Sequence, residues 1–242
     1  MNAAVFPCYE QTPLRKLTGS CLRPGGLELT RHALALCAFT PGSRVLDLGC
    51  GPGASLGLLQ DQGCNCLGLD RSALLLAEAA TTASVLRGDF HTLPLATSCL
   101  DGILCECALS LARDTTAVLG ECFRVLRPGG RLVITDLTLR DEALPEAGPD
   151  AVPCAAGALT LREMERLLRE TGFICRIRED HTPRLRELAA RIVWHFGSMA
   201  AFAELWRAGD GRAESPASSS CRHSGKNLCY TLILAEKQGD KS

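Results

Sequence analysis

The run Val45-Leu46-Asp47-Leu48-Gly49-Cys50-Gly51-Pro52-Gly53 sets one carboxylate two residues ahead of three alternating glycines, and a second, Asp70, follows seventeen residues after the last of them. A short apolar stretch, a Gly-x-Gly-x-Gly turn and the helix-forming segment Ala54 to Gln60 read as the first strand, loop and helix of a doubly wound α/β sheet. In such sheets nucleotide-like ligands sit over the carboxyl ends of the strands, and glycines let the backbone approach where a Cβ would hold the ligand off. A phosphate-binding P-loop requires Gly-Lys-Ser/Thr, whereas Ala54 and Ser55 follow Gly53, so no lysine is supplied. The dinucleotide fingerprint tolerates Ala54 in its third position, and the loop alone leaves that cofactor open. The acids discriminate better: Asp70, at the tip of Leu67-Gly68-Leu69-Asp70, suits a ribose diol, and Asp47 suits a cationic amino group better than a pyrophosphate.

Further blocks follow in order: Gly88-Asp89-Phe90 with Leu93-Pro94, then Ser98 to Ser110 containing Asp101-Gly102-Ile103-Leu104, then Arg124-Val125-Leu126-Arg127-Pro128-Gly129-Gly130-Arg131-Leu132. Over about residues 42 to 140 the chain thereby resembles the class I S-adenosylmethionine-dependent methyltransferases of type 11. The resemblance implies a mostly parallel, seven-stranded, doubly wound sheet with a helical insertion before the last strand, and S-adenosyl-L-methionine as cofactor. It also implies that Asp47 and the loop of Gly49, Gly51 and Gly53 hold the methionine end, Asp70 the ribose hydroxyls, and Asp89 with Phe90 the adenine. Arg71 and Glu106 complete that cofactor-binding set.

With the cofactor half generic, the acceptor must be read from what faces it, chiefly the fourth-strand tip and the loop after the fifth strand. Both carry cysteine. Cys107, in Leu104-Cys105-Glu106-Cys107-Ala108-Leu109-Ser110, and Cys154, in Cys154-Ala155-Ala156-Gly157-Ala158-Leu159, resemble two cysteines of the arsenite methyltransferases, and Cys21 stands for a third near the N-terminus. Thiolates are soft ligands and select soft, thiophilic centres such as trivalent arsenic. The chain departs from that family where a further cysteine would fall, near Leu56, and in the spacing around Cys21. The expected catalytic set is therefore Cys107, Cys154 and Cys21 in a direct in-line methyl transfer to a small-molecule acceptor. A quinone or other small organic carbon or oxygen nucleophile is the alternative acceptor, and a non-catalytic cofactor- or metal-binding module the alternative role.

Composition sets the remaining bounds. The 242 residues, 46% of them hydrophobic, suit one α/β domain with a lid or insertion. Net charge is −1 and the basic residues are scattered, so no nucleic-acid footprint appears. No apolar run approaches the ~18 residues of a membrane span, and Met1 to Lys16 lacks the order of a signal peptide, which sets the expectation of a soluble cytoplasmic protein. Fourteen cysteines stay below the density of a disulfide scaffold and are expected as thiols, mostly small core residues. His181, His195 and His223 have no partner readable from the sequence, and no metal site is assigned. Residues 1–40 are expected to cover the cofactor face, 41–179 with 226–238 to form the methyltransferase domain, and 180–225 to be the insertion. Within that insertion Pro183 to Arg207 has helical apolar spacing with Trp194, Phe196, Phe202 and Trp206, while Gly209 to Gly225 is Gly/Ser-rich. Ser72, Asp114 and the Thr160/Glu163 pair are expected helix caps.

Overall fold

The computed structural model describes residues 7–10, 15, 17–21, 23–140, 155, 157–208 and 225–239. After a single helical turn at Pro7–Glu10 come α1 (Gly26–Cys37), β1 (Arg44–Leu48), α2 (Ala54–Asp61), β2 (Asn65–Asp70), α3 (Ala73–Ala79), β3 (Ser84–Arg87) and β4 (Leu100–Glu106). The second half holds α4 (Thr115–Val125), β5 (Leu126–Leu139), β6 (Leu159–Thr160), α5 (Leu161–Thr171), β7 (Phe173–Asp180), α6 (Thr182–Phe196), α7 (Met199–Ala208) and β8 (Leu228–Lys237). The sheet runs β3-β2-β1-β4-β5-β8-β7, with the two-residue β6 pairing β5 off this path. The links from β3 through β5 are parallel, and β8 lies antiparallel to both β5 and β7. Seven strands in this path match the sheet expected from the sequence; β6, only two residues long, has no alternation to betray it.

Helices cover both faces, so the central strands are buried on both sides and read as apolar runs. Successive residues of β1 feed opposite cores: Leu46 and Leu48 join Val118, Leu119, Met164 and Leu168, while Val45 joins Leu29, Leu34, Leu56 and Leu59. The same alternation on β4 sends Cys105 to the first core and Leu104 to the second. Asp47 and Glu106, each two residues beyond a member of the second core, therefore turn toward α1 and α2. This alternation aims both carboxylates at the same helices.

The expected caps form. Ser72 accepts from the Leu75 amide, Asp114 from Ala117, and Thr160 and Glu163 make both halves of a capping box. The helical insertion is two helices instead of one, because the chain turns at Gly197, φ +83°, between α6 and α7. Its aromatics divide as well: Phe202 is buried beside Ile192 with Phe196 packed against them, whereas Trp194 is 92% exposed. Cys154 and residues 209–224 of the Gly/Ser-rich stretch lie outside the described residues. Among the described residues, no helix is long and apolar enough to cross a membrane.

Candidate active site

The glycine turn is held from beneath by the neighbouring strand. The amides of Gly49 and Cys50 donate to the Leu69 carbonyl at 2.7 and 3.0 Å. Both carboxylate oxygens of Asp70 accept backbone N–H groups, from Gly51 at 2.9 Å and Ser72 at 2.8 Å. Asp70 thus fixes the loop while keeping lone pairs for a hydroxyl ligand. Gly49 adopts φ +81°, and a Cβ there would lie 2.6 Å from the Ala108 Cβ, so only glycine fits. A Cβ on Gly51 would meet nothing within 4 Å: that side of the loop is open. Gly53 occupies the N-cap of α2.

Gly49, Cys50, Gly51, Asp70, Arg71, Phe90, Glu106 and Cys107 line one open cleft of about 970 Å³, solvent at its mouth included. The N-terminal segment forms another wall through Tyr9, Glu10, Ser20 and Arg23. It is tied down by a hydrogen bond from Ser72 to Glu10 and an ion pair between Arg15 and Glu78. The floor holds a buried polar network. Glu106 accepts from Thr30 at 2.9 Å and Ser55 at 2.7 Å, and Arg23 reaches Glu106 and the Ser55 hydroxyl, each at 2.8 Å. Burial works against the Arg23 charge, but Glu106, joined by Cys21, Tyr230 and Asp47, outweighs it and raises its pKa.

Asp47 stands behind this network instead of on the cleft wall. It is 3% exposed, its Oδ2 has no hydrogen-bond partner, and burial together with nearby Glu106 pushes its carboxyl up to about 8, against the opposing pull of Arg23. The acids lining the cleft are Glu10, Asp70 and Glu106; of the two carboxylates expected at the cofactor from β1 and β4, Glu106 is on the wall and Asp47 is not. Asp89 accepts from the His91 amide and ring at 3.0 and 2.6 Å. These bonds overcome a raising effect of burial and lower its pKa.

Cys107 closes β4 in a left-handed backbone conformation, φ +52°, which non-glycine residues seldom adopt and which costs of order 1–3 kcal/mol. Its amide donates to the Thr135 carbonyl at 2.7 Å, and its Sγ lies 3.4 Å from the Tyr230 hydroxyl. Tyr230 is fully buried and burial drives its pKa well up, so its hydroxyl stays protonated beside the sulfur. Cys21 stands beside Arg23, and burial, only partly offset by that guanidinium, pushes its thiol up. Cys154 is outside the described residues; downstream of it Ala155 is buried and Gly157 donates to Ser110, three residues beyond Cys107.

Sequence reasoning did not find Arg23, Thr30, Ser55 or Tyr230, which converge from distant segments with no local pattern. It also left His181 alone, whereas His181 and His32 both hydrogen-bond Glu179.

Residues 46–134 match the family model described as the methyltransferase domain. The chain is 31% identical over 154 residues to an arsenite methyltransferase of Halobacterium salinarum, covering 57% of this chain and 39% of that protein. It is 38% identical over 118 residues to a demethylmenaquinone methyltransferase of Mycolicibacterium paratuberculosis, covering 48% of this chain and 50% of that protein. The chain thus spans half or less of these curated relatives. Phosphoethanolamine N-methyltransferase 2 of Haemonchus contortus, solved in complex with S-adenosyl-L-methionine, superposes with a TM-score of 0.73 over 93% of this chain and 56% of that one. At 20% identity this shows a shared fold, that of the class I methyltransferases.

Proposed function

We propose that the chain is an S-adenosylmethionine-dependent methyltransferase whose acceptor is a small, thiophilic centre of arsenite type held by Cys107 and Cys154, with Cys21 as a third thiol. The observation that carries the reading is that the glycine loop, Asp70 and Cys107 line the same cleft. The cofactor fits the residues present: the open side of Gly51 admits close approach, Asp70 keeps acceptor capacity for ribose hydroxyls, and Phe90 offers an aromatic wall to the adenine. Arg23 and Glu106 present both signs of charge to the cleft, a match for the zwitterionic amino-acid end. Arg71 and Asp89 complete the nucleoside side.

When bound, this cofactor supplies an electrophilic methyl group on a sulfonium sulfur. The chain's own contribution is positional. The N-terminal wall excludes water, the β1 loop and Asp70 fix one reactant, and Cys107 at the tip of β4 fixes the other. Cys107 closes β4 in its left-handed backbone conformation with its sulfur on the cleft wall, hydrogen-bonded to the buried Tyr230 hydroxyl. A second reading replaces arsenite by a quinone or other small organic nucleophile; Tyr9, Leu75, Phe90 and Leu111 give the cleft an apolar side suited to it.

The test is methyl transfer from S-adenosylmethionine to arsenite with glutathione as reductant, for wild type and Cys107→Ser. Methylated arsenic from wild type, lost in the variant while S-adenosylhomocysteine still binds, is the expected result. A protein that binds the cofactor and methylates no arsenic removes the arsenite assignment. Transfer to a quinone would then select the second reading, and no transfer to any acceptor the non-catalytic one.

A further inference from the structure

Away from the cleft, three side chains from separate segments converge. His32 lies on α1, Glu179 near the end of β7, and His181 in the step from β7 into α6. The Nε2 atoms of His32 and His181 meet the same carboxylate oxygen, Glu179 Oε2, at 2.7 and 2.8 Å, and the ligating atoms of the three residues all lie within 4.8 Å of one another. The two rings stand edge to face with centroids 5.9 Å apart.

We propose that His32, Glu179 and His181 form a binding site for a divalent transition-metal ion of the zinc type. Imidazole and carboxylate donors in this number suit zinc, cobalt or nickel, and disfavour magnesium and calcium, which require oxygen donors. Zinc bonds of about 2.0–2.1 Å in tetrahedral array would place the donors about 3.3 Å apart, so the two N···O contacts must open by about 0.5 Å while the two nitrogens, within 4.8 Å of each other, settle to the same spacing. The side chains are 45%, 30% and 21% exposed for His32, Glu179 and His181, which leaves room for that adjustment and for water in the remaining coordination positions. Surrounding structure already holds the donors in place. The His181 amide donates to the Tyr230 carbonyl at 2.7 Å, and Arg184 of α6 pairs with Glu28 of α1 at 2.6 Å. The bound ion would staple α1, which carries Thr30 to Glu106, onto the β7–α6 junction. Each ring must then present Nε2 as a lone pair, so its proton moves to Nδ1 or to solvent and affinity rises with pH.

Cobalt(II) and zinc(II) titrations of the full chain test this, with competition against a chromophoric chelator. We expect one equivalent bound, visible cobalt d–d bands without a thiolate charge-transfer band, and a metal-dependent rise in melting temperature. His32→Ala, Glu179→Gln and His181→Ala, shown folded by circular dichroism without metal, should each lose roughly tenfold or more in affinity, about 1.4 kcal/mol. A thiolate charge-transfer band at the first equivalent, affinity unchanged in all three variants, or no binding at micromolar metal would each overturn the proposal. These readouts are independent of methyl transfer, so the metal site and the function proposed above stand or fall separately.

Discussion

Replacing Arg23 by methionine would keep much of the side-chain volume and remove the only hydrogen-bonding cation described on Glu106. In the native protein Arg23 meets Glu106 at 2.8 Å with the two side chains 10% and 3% exposed. Ion pairs this dry are judged by what is left when one partner goes: an uncompensated buried charge, at a cost of about 3–5 kcal/mol. For a chain of this size each kcal/mol lowers the melting temperature by about 2–4 °C, so Arg23→Met should melt roughly 6–20 °C below wild type. Adding Glu106→Gln removes the stranded charge and should recover at least half of the loss, since one of the Thr30 and Ser55 hydroxyls can still donate to the amide oxygen while the other accepts from the amide NH2. Calorimetric melting of wild type, both single variants and the double variant closes the cycle. A drop below about 3 °C for Arg23→Met, or a double variant no more stable than that single one, would refute the view that this pair holds the cleft floor.

Asp47 gives a pH signature. Its carboxyl is pushed up to about 8 in the folded chain, so its contribution to stability is fully present below the ordinary carboxylate range near 4 and is lost as pH rises toward 8. Asp47→Asn should therefore flatten the decline of stability between about pH 5 and pH 8, and denaturant titrations that find the same slope in both proteins would contradict the assignment. Gly49→Ala meets both a positive φ and the Ala108 side chain at 2.6 Å. It should destabilise by more than about 1 kcal/mol, and an unchanged urea midpoint would show the turn to be less constrained than described.

The parts of this fold visible in the sequence are those set by local chemistry. The glycine turn, the strand that ends in Asp70 and the capping residues at Ser72, Asp114 and Thr160 each act within a few residues, and each lies where its spacing indicates. The far end of β5, Leu137 to Leu139, is set by pairing with Leu228 to Tyr230 of β8, about ninety residues on in the chain, and so carries no local signal. The same holds for the site. Cys107 is found from its motif, but the Tyr230 hydroxyl beside it belongs to the other end of the chain. Arg23, Thr30, Ser55 and Glu106 form one network from four segments, and polar residues that meet only in space leave no periodicity. His181 has no partner readable from the sequence, and the second histidine on its neighbour Glu179, His32, comes from 147 residues away in the chain. Trp194 shows the converse, an apolar residue at helical spacing that the fold leaves in solvent.

The central claim is that this cleft holds a sulfonium nucleoside and not a dinucleotide. Isothermal titration of the purified chain with S-adenosylhomocysteine and, separately, with NAD tests it most directly. The account predicts saturable binding of one equivalent of S-adenosylhomocysteine, strongly weakened by Asp70→Ala, and no heat with NAD; binding of NAD with none of the nucleoside thioether would contradict it.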